Sequence, residues 1–311
     1  MNKIIILFLC ILVSGCAQQA SEQVQDGYSP TINPADFSSA VTNKYFTLLT
    51  GTNMIYEGQT EDGLERIEVR VLNETKTVMG VKAVVVWDRV WLNGELIEDT
   101  KDLYAQDKEG NVWYFGEKSM ELAGGKVVSY AGSWEYGVDG ALPGIIMKAN
   151  PKAGDSYRQE YYKGEAEDMA DVVAVGESVT VPYRNFTNCL KTRDYTPLEP
   201  GADEYKYYCP QAGGVALEVV AEDGERVELI DIKYESDTKV EFQKEPEGLV
   251  TNITEAQAKQ IAIKQFPGIP TDVAIETKYG KLAYVVEIDP PSGRETDVIV
   301  DAQTGQILGM E

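Results

Sequence analysis

The chain has 311 residues, enough for one large or two modest domains. With 43% hydrophobic and 25% charged residues, wholesale disorder is excluded. Lys and Arg number 28 against 51 Asp and Glu, a net charge of −23, which excludes a nucleic-acid partner because phosphate binding needs a basic face. The absence of histidine excludes Ser-His-Asp and Cys-His catalysis, the HExxH zinc site and a histidine pH switch.

The N-terminus reads MNKIIILFLCILVSGC. Lys3 precedes the apolar run Ile4–Val13, which as a helix is too short to cross a bilayer. Residues 1–15 are therefore read as a signal peptide, with Cys10 inside it. The run ends in Val13-Ser14-Gly15-Cys16, which resembles the lipobox of prokaryotic lipoproteins. The resemblance implies cleavage before Cys16, acylation of Cys16, and a lipid anchor in the cell envelope, outside the cytoplasmic membrane. Residues 16–43 are largely polar, contain Pro30 and Pro34, and are expected to form a flexible tether.

Residues 44–234 carry a β pattern throughout. Met54-Ile55-Tyr56 is followed by an Asp62-Gly63 turn. In the next run Ile67, Val69 and Val71 share one face, and Glu68 and Arg70 point the other way toward water. VKAVVVWDRVWL, residues 81–92, is apolar on both faces and predicts a central strand. Asn93-Gly94 then fits a two-residue type I′ turn. Residues 134–155, with four Gly and two Pro, break the rhythm and predict a long loop. Its apolar part, Ala141 to Met147, either caps a barrel mouth or plugs the core. Farther on, Val227 and Leu229 lie on one face, and Ile230, Ile232 and Tyr234 on the other. That phase slip predicts a β-bulge. An antiparallel meander of roughly ten strands must curl into a barrel, half-barrel or sandwich to bury its apolar face.

Residues 235–250 are charged, contain a proline, and read as an interdomain linker. Residues 251–311 change character. Thr254 and Gln257 form a capping box. Ala258, Ile261, Ala262 and Phe266 recur at helical spacing until Pro267-Gly268 stops the helix. Three strands and a last short one follow, so this part is expected to be a small α+β unit. Its segments ITEAQAKQIAIKQFPG, LAYVVEI and VIVDAQTGQIL resemble the PepSY module. Members of that family occur in propeptides of secreted metallopeptidases, where they restrain the peptidase, and as separate secreted or lipid-anchored domains. The resemblance brings no catalytic residues, and it implies a secreted peptidase or another envelope protein as partner.

Outside the signal and the lipobox, Cys189 and Cys209 remain. An even pair outside the cytosol reads as a disulfide, with two free thiols as the alternative and a metal site disfavoured for lack of histidine. Glu160, Glu165, Glu167, Asp168 and Asp171 form the densest acidic stretch. It lacks the spacing of a calcium loop and reads as a solvated face. Asn73, Asn185 and Asn252 open N-x-Thr sequons.

The combined expectation is a mainly β protein with a small C-terminal α+β domain. It would be lipid-anchored in the cell envelope and act by non-enzymatic binding, with no cofactor or metal assigned and ligand-binding residues open. Two alternatives stand beside it. A carrier of lipid or another apolar molecule in a β half-barrel requires an apolar-lined cavity. A carboxylate-dependent hydrolase requires two acids converging in a cleft.

Overall fold

The computed structural model describes residues 27–234, 251–289 and 296–310. The signal peptide, Cys16, the first part of the expected tether and the expected linker 235–250 lie outside the described residues. Those described divide into two compact units, the second of which joins residues 120–131 to the C-terminal residues.

The first unit is built on a nearly closed antiparallel sheet. Its strands are β1 (Thr52–Thr60), β2 (Gly63–Val78), β3 (Val81–Leu92), β4 (Glu95–Asp107), β5 (Val112–Lys118) and β6 (Leu142–Met147). They continue with β7 (Met169–Thr180), β8 (Asn185–Tyr195), β9 (Asp203–Cys209), β10 (Gly214–Val220) and β11 (Arg226–Tyr234). The last strand returns to the first, with Leu229 opposite Tyr56. Between β6 and β7, residues 156–161 bridge the remaining gap: Tyr157 pairs with Ala170, and Glu160 with Pro143. Gly144 lies at this closure, where a Cβ would stand 2.3 Å from the Gln159 carbonyl carbon. The stretch 134–155, expected to be one loop, thus contributes β6 to the wall. Its alternating apolar residues find partners on β5, with Gly144 opposite Tyr114.

The predicted turn at Asn93-Gly94 has both residues at positive φ, 51° and 84°. The predicted bulge falls between Leu229 and Asp231. It returns Ile232 to the side of Leu229, and both join one buried cluster. Strand β3 is buried on both faces, as its composition requires. Val84, Val86 and Val90 belong to the interior clusters. Ala83, Val85 and Trp87 pack outside with Leu103, Ala105 and Phe115.

That outer layer is covered by chain expected to be tether. Ile32 and Phe37 pack on it, Phe37 meets Phe115 edge-on at 5.3 Å, and the Tyr28 hydroxyl donates to the Pro143 carbonyl at 2.7 Å. From Tyr28 onward the tether reading is therefore corrected, because an apolar outer face of β3 and β4 needs a cover. Residues 41–48 go further and close one end of the barrel. Val41, Tyr45 and Leu48 enter the interior cluster. Asn43 Nδ2 donates to the Gly110 and Lys148 carbonyls, and the Thr47 amide donates to the Gly213 carbonyl.

In the second unit, α1 (Glu255–Gln265) precedes the sheet β12 (Ile269–Lys278), β13 (Lys281–Asp289), β14 (Thr296–Asp301) and β15 (Ile307–Met310), paired in chain order. The capping box forms as predicted: Thr254 Oγ1 accepts from the Gln257 amide, and the Gln257 side chain accepts from the Thr254 amide. Ala258 and Ala262 are fully buried against Tyr284, Val286, Ile288, Val298 and Val300, with Phe266 half-buried beside them. Small residues at 258 and 262 let the helix approach the sheet closely. The opposite sheet face is not free, since Ala283, Val285 and Ile299 are buried there too. Residues 120–131 belong to this unit, and their strand Lys126–Ser129 lies against β12.

Candidate functional site in the barrel interior

Strand alternation decides what the barrel encloses. On β4, Glu98, Thr100, Asp102 and Tyr104 stand opposite Val90, Asp88, Val86 and Val84 of β3. Because those valines face inward, the acids of β4 do as well. The same rule carries the pattern round the wall. Asp102 stands opposite Glu117 of β5, and Glu160 lies in the bridging segment. Asp194 of β8 pairs with Glu204 of β9, whose Lys206 stands between Thr192 and Glu218. Glu65 on β2 lies opposite Gly58, whose other neighbour is Val227. Glu65, Glu98, Asp102, Glu117, Glu160, Asp194 and Glu218 are all buried, Glu160 at 1% exposure.

The groups are only partly satisfied. Trp134 Nε1 donates to Glu160 Oε2 at 2.6 Å and Tyr114 donates to Asp102 at 2.6 Å. Thr100 donates to Glu98 at 2.8 Å, and Gln159 to Asp194 at 3.3 Å. Lys206 Nζ lies 3.4 Å from Glu204, 3.7 Å from Glu218 and 3.8 Å from Asp194. Among the described residues, buried oxygens without a partner include Oε1 of Glu117 and of Glu160, Oδ1 of Asp88 and of Asp194, Oγ1 of Thr192, and the Tyr157 hydroxyl.

Burial and crowding of like charge raise proton affinity here. Burial pushes Asp102 up to about 7, against the opposing hydrogen bond from Tyr114. Burial, reinforced by Glu204 and Glu225, takes Glu65 to about 7. Asp168 also reaches about 7, chiefly through burial, although Lys206 pulls it down. Glu117, Glu160 and Glu218 lie well above the ordinary carboxylate range, each through burial first and then a neighbouring acid. Burial alone would strip the proton from Lys206, but Glu218, Glu204 and Asp194 outweigh it and hold the ammonium.

Aromatic rings stand beside the acids. Tyr104 stacks on Tyr114 at 4.7 Å, and Trp134 meets Tyr114 edge-on at 5.3 Å.

The acidic stretch expected to be a solvated face is split by the fold. Glu160 enters the barrel, and Asp168 joins its electrostatics. Glu167 faces Arg158, and Asp171 faces Arg193. The solvated-face reading is thus corrected for Glu160 and Asp168, because the bridging segment closes the sheet and turns its inner side chains inward. Among the described residues no three acids gather closely enough to hold a metal ion. Cys189 and Cys209 are joined, with Cα atoms 4.3 Å apart, in a separate buried cluster.

Residues 252–311 match the family model for the peptidase propeptide and YPEB domain, PepSY. Over 166 residues, 53% of this chain and 70% of the relative, the sequence is 24% identical to YkoI, an uncharacterized membrane protein of Bacillus subtilis. A solved candidate lipoprotein from Parabacteroides distasonis is 14% identical, with 61% of this chain and 98% of that one covered at a TM-score of 0.35. One from Clostridium difficile is 18% identical, with 46% and 79% covered at a TM-score of 0.20. Among the described residues no helix is long and apolar enough to cross a membrane.

Proposed function

We propose that a C-terminal PepSY module joined to an acid-lined barrel makes this chain a non-catalytic binding protein of the cell envelope. In this reading the barrel takes a polar ligand, and the module makes protein contacts. The lipobox resemblance at Cys16 and the membrane designation of the Bacillus relative support the address. The carrying observation for the barrel is its set of buried, unpartnered oxygens. Buried polar groups in native proteins are nearly always paired, and a lining that leaves several unmatched is complementary to something that supplies donors.

The lining argues against the two alternatives. An acyl chain in this interior would leave the carboxyl groups without donors or water, which costs free energy. Hydrolysis by carboxylates needs one acid held protonated beside one held ionised. Here Asp102, Glu117 and Glu160 are all shifted the same way. For the C-terminal module, a secreted peptidase remains the partner that the resemblance favours.

Thermal unfolding of the purified full-length chain tests the binding reading, with soluble cationic, neutral polyol, anionic and fatty-acyl ligands compared. A polar ligand at about 100 times its Kd stabilises by about 2.7 kcal/mol, and Asp194→Asn should diminish the effect. No shift with any class, or a shift with the fatty-acyl ligand alone, would overturn the reading.

A further inference from the structure

We infer that residues 156–168 are a pH-operated latch on the barrel, shut at acid pH and released from β6 and β7 at alkaline pH, with Glu117 and Glu160 as the operating groups. The inference does not depend on the barrel binding a ligand.

The segment is held by short seams. On one side only Leu142 with Tyr161 and Pro143 with Glu160 are in register, and Pro143 has no amide to donate. On the other, Ser156, Tyr157 and Arg158 stand opposite Asp171, Ala170 and Met169. By contrast, β1 and β2 stay paired from Asn53 with Arg70 to Thr60 with Gly63. Strands β10 and β11 also share a short register, Leu217 to Val219, but there the buried Glu218 has Lys206 Nζ at 3.7 Å.

The seam at 156–168 joins two packed acids without a cation. Trp134 stands opposite Glu117 in register and donates to Glu160, so one residue connects the two. Glu117 is 6% exposed and Glu160 1%, and Oε1 of each is packed without a partner. Among the described residues neither forms an ion pair. The groups facing them add no positive charge: Glu98, Asp102 and Tyr104 from β4, Tyr114 from β5, and Asp168 from the segment itself. Strand β6 carries no ionisable side chain. Of the segment's own cations, Arg158 faces Glu167 and the rings of Tyr28 and Tyr161, and Lys163 is exposed. On β8 and β9, Lys206 stands among Asp194, Glu204 and Glu218.

A carboxylate taken from water without a counter-charge is strongly disfavoured, so the two acids stay protonated while the latch is shut. Burial first, then neighbouring acids, raises both well above the ordinary carboxylate range. Release carries Glu160 into water and lets water reach Glu117, which returns both toward about 4.3. The shut form thus binds more protons than the open one, and rising pH shifts the equilibrium toward release. Between the open and shut values, each proton lost shifts that equilibrium about tenfold per pH unit.

Hydrogen exchange of the full-length chain at about pH 6 and about pH 9, corrected for the intrinsic pH dependence of exchange, tests the latch. Protection in 156–168 should fall at least about tenfold, while residues 63–92 in β2 and β3 keep theirs. Glu160→Gln should keep the segment protected at the higher pH, and Glu117→Gln should do so in part. The exposed Asp223→Asn should behave like the unsubstituted chain. Equal loss in both regions would overturn the latch in favour of global unfolding. Unchanged protection in 156–168 would overturn it outright, and both results come from the unsubstituted chain even where a variant does not fold. Loss that persists in both Gln variants would overturn the two acids as its operators.

Discussion

Trp134 Nε1 donates a 2.6 Å hydrogen bond to Glu160 Oε2, joining the short strand Trp134–Glu135, which pairs with β5, to the segment that closes the barrel. Both side chains are almost fully buried. Trp134→Phe should destabilise the chain by about 1–3 kcal/mol, the cost of a buried acceptor losing its donor. Glu160→Gln keeps an acceptor for the indole and removes a buried ionisable group. It should be neutral or stabilising at pH 7 without ligand. Urea denaturation of both variants checks this, and a large loss in Glu160→Gln would contradict the environment assigned to that residue.

Stability without ligand should fall as pH rises through the window from about 4 to about 7. Glu65, Asp102 and Asp168 each reach about 7 in the folded chain, against about 4 unfolded. Between those values the folded state binds more protons than the unfolded one, so the slope of stability with pH is negative. Each such group contributes up to about 1.4 kcal/mol per pH unit. Around Asp102 the facing groups are Asp88, Glu98, Glu117, Tyr104 and Tyr114, none of them cationic. Tm measured at pH 4.5, 6 and 8 should decline, and Asp102→Asn should flatten the decline. A Tm that rises over this range would refute the assigned burial.

The C-terminal hairpin depends on Asp301. Its carboxylate accepts from the Gln303 and Thr304 amides and lies 2.6 Å from Lys281 Nζ. These contacts, Lys281 first, hold its pKa down to about 2. The folded pKa is depressed, so its contribution is present above about 4 and lost as pH falls toward 2. Asp301→Ala should cost about 1–3 kcal/mol. Lys281→Met should cost less than about 1 kcal/mol, because the lysine is half exposed. Hydrogen exchange across β14 and β15 distinguishes the two, and equal effects would mean that the ion pair, not the turn, matters.

Cys189 and Cys209 close a loop with a sequence separation of 20. In the chain-entropy model such a crosslink contributes about 3 kcal/mol by restricting the unfolded chain. Reduction, or Cys189→Ser with Cys209→Ser, should lower the denaturation midpoint accordingly. Titration of two free thiols in the unreduced protein would rule the crosslink out.

Cys16 carries the expected attachment. Cys16→Ser should move the protein out of the membrane fraction, because two acyl chains hold a protein on a bilayer far more firmly than the repelled surface of an acidic chain. Undiminished retention would leave the lipobox resemblance without function.

Local pattern was enough to read several elements. The apolar faces of β3, the turn at Asn93-Gly94, the bulge after Leu229 and the capped helix at Thr254 all arise from neighbours in sequence. The acid-lined interior does not. In ELIEDTKDLYAQD, residues 95–107, alternation puts Glu98, Thr100, Asp102 and Tyr104 on one face and Ile97, Asp99, Lys101 and Leu103 on the other. Both faces mix polar and apolar groups, so period two says which residues travel together and not which set turns inward. That choice depends on β11 pairing with β1 and on residues 156–161 joining β6 to β7, contacts between segments distant in sequence. The same closure turns Glu160 from an apparent surface acid into a buried acceptor, and it brings Asp194 and Lys206 into one interior. Packing outside β3 likewise converts Ile32 and Phe37 from tether to cover, since only the folded sheet presents the apolar surface they bury.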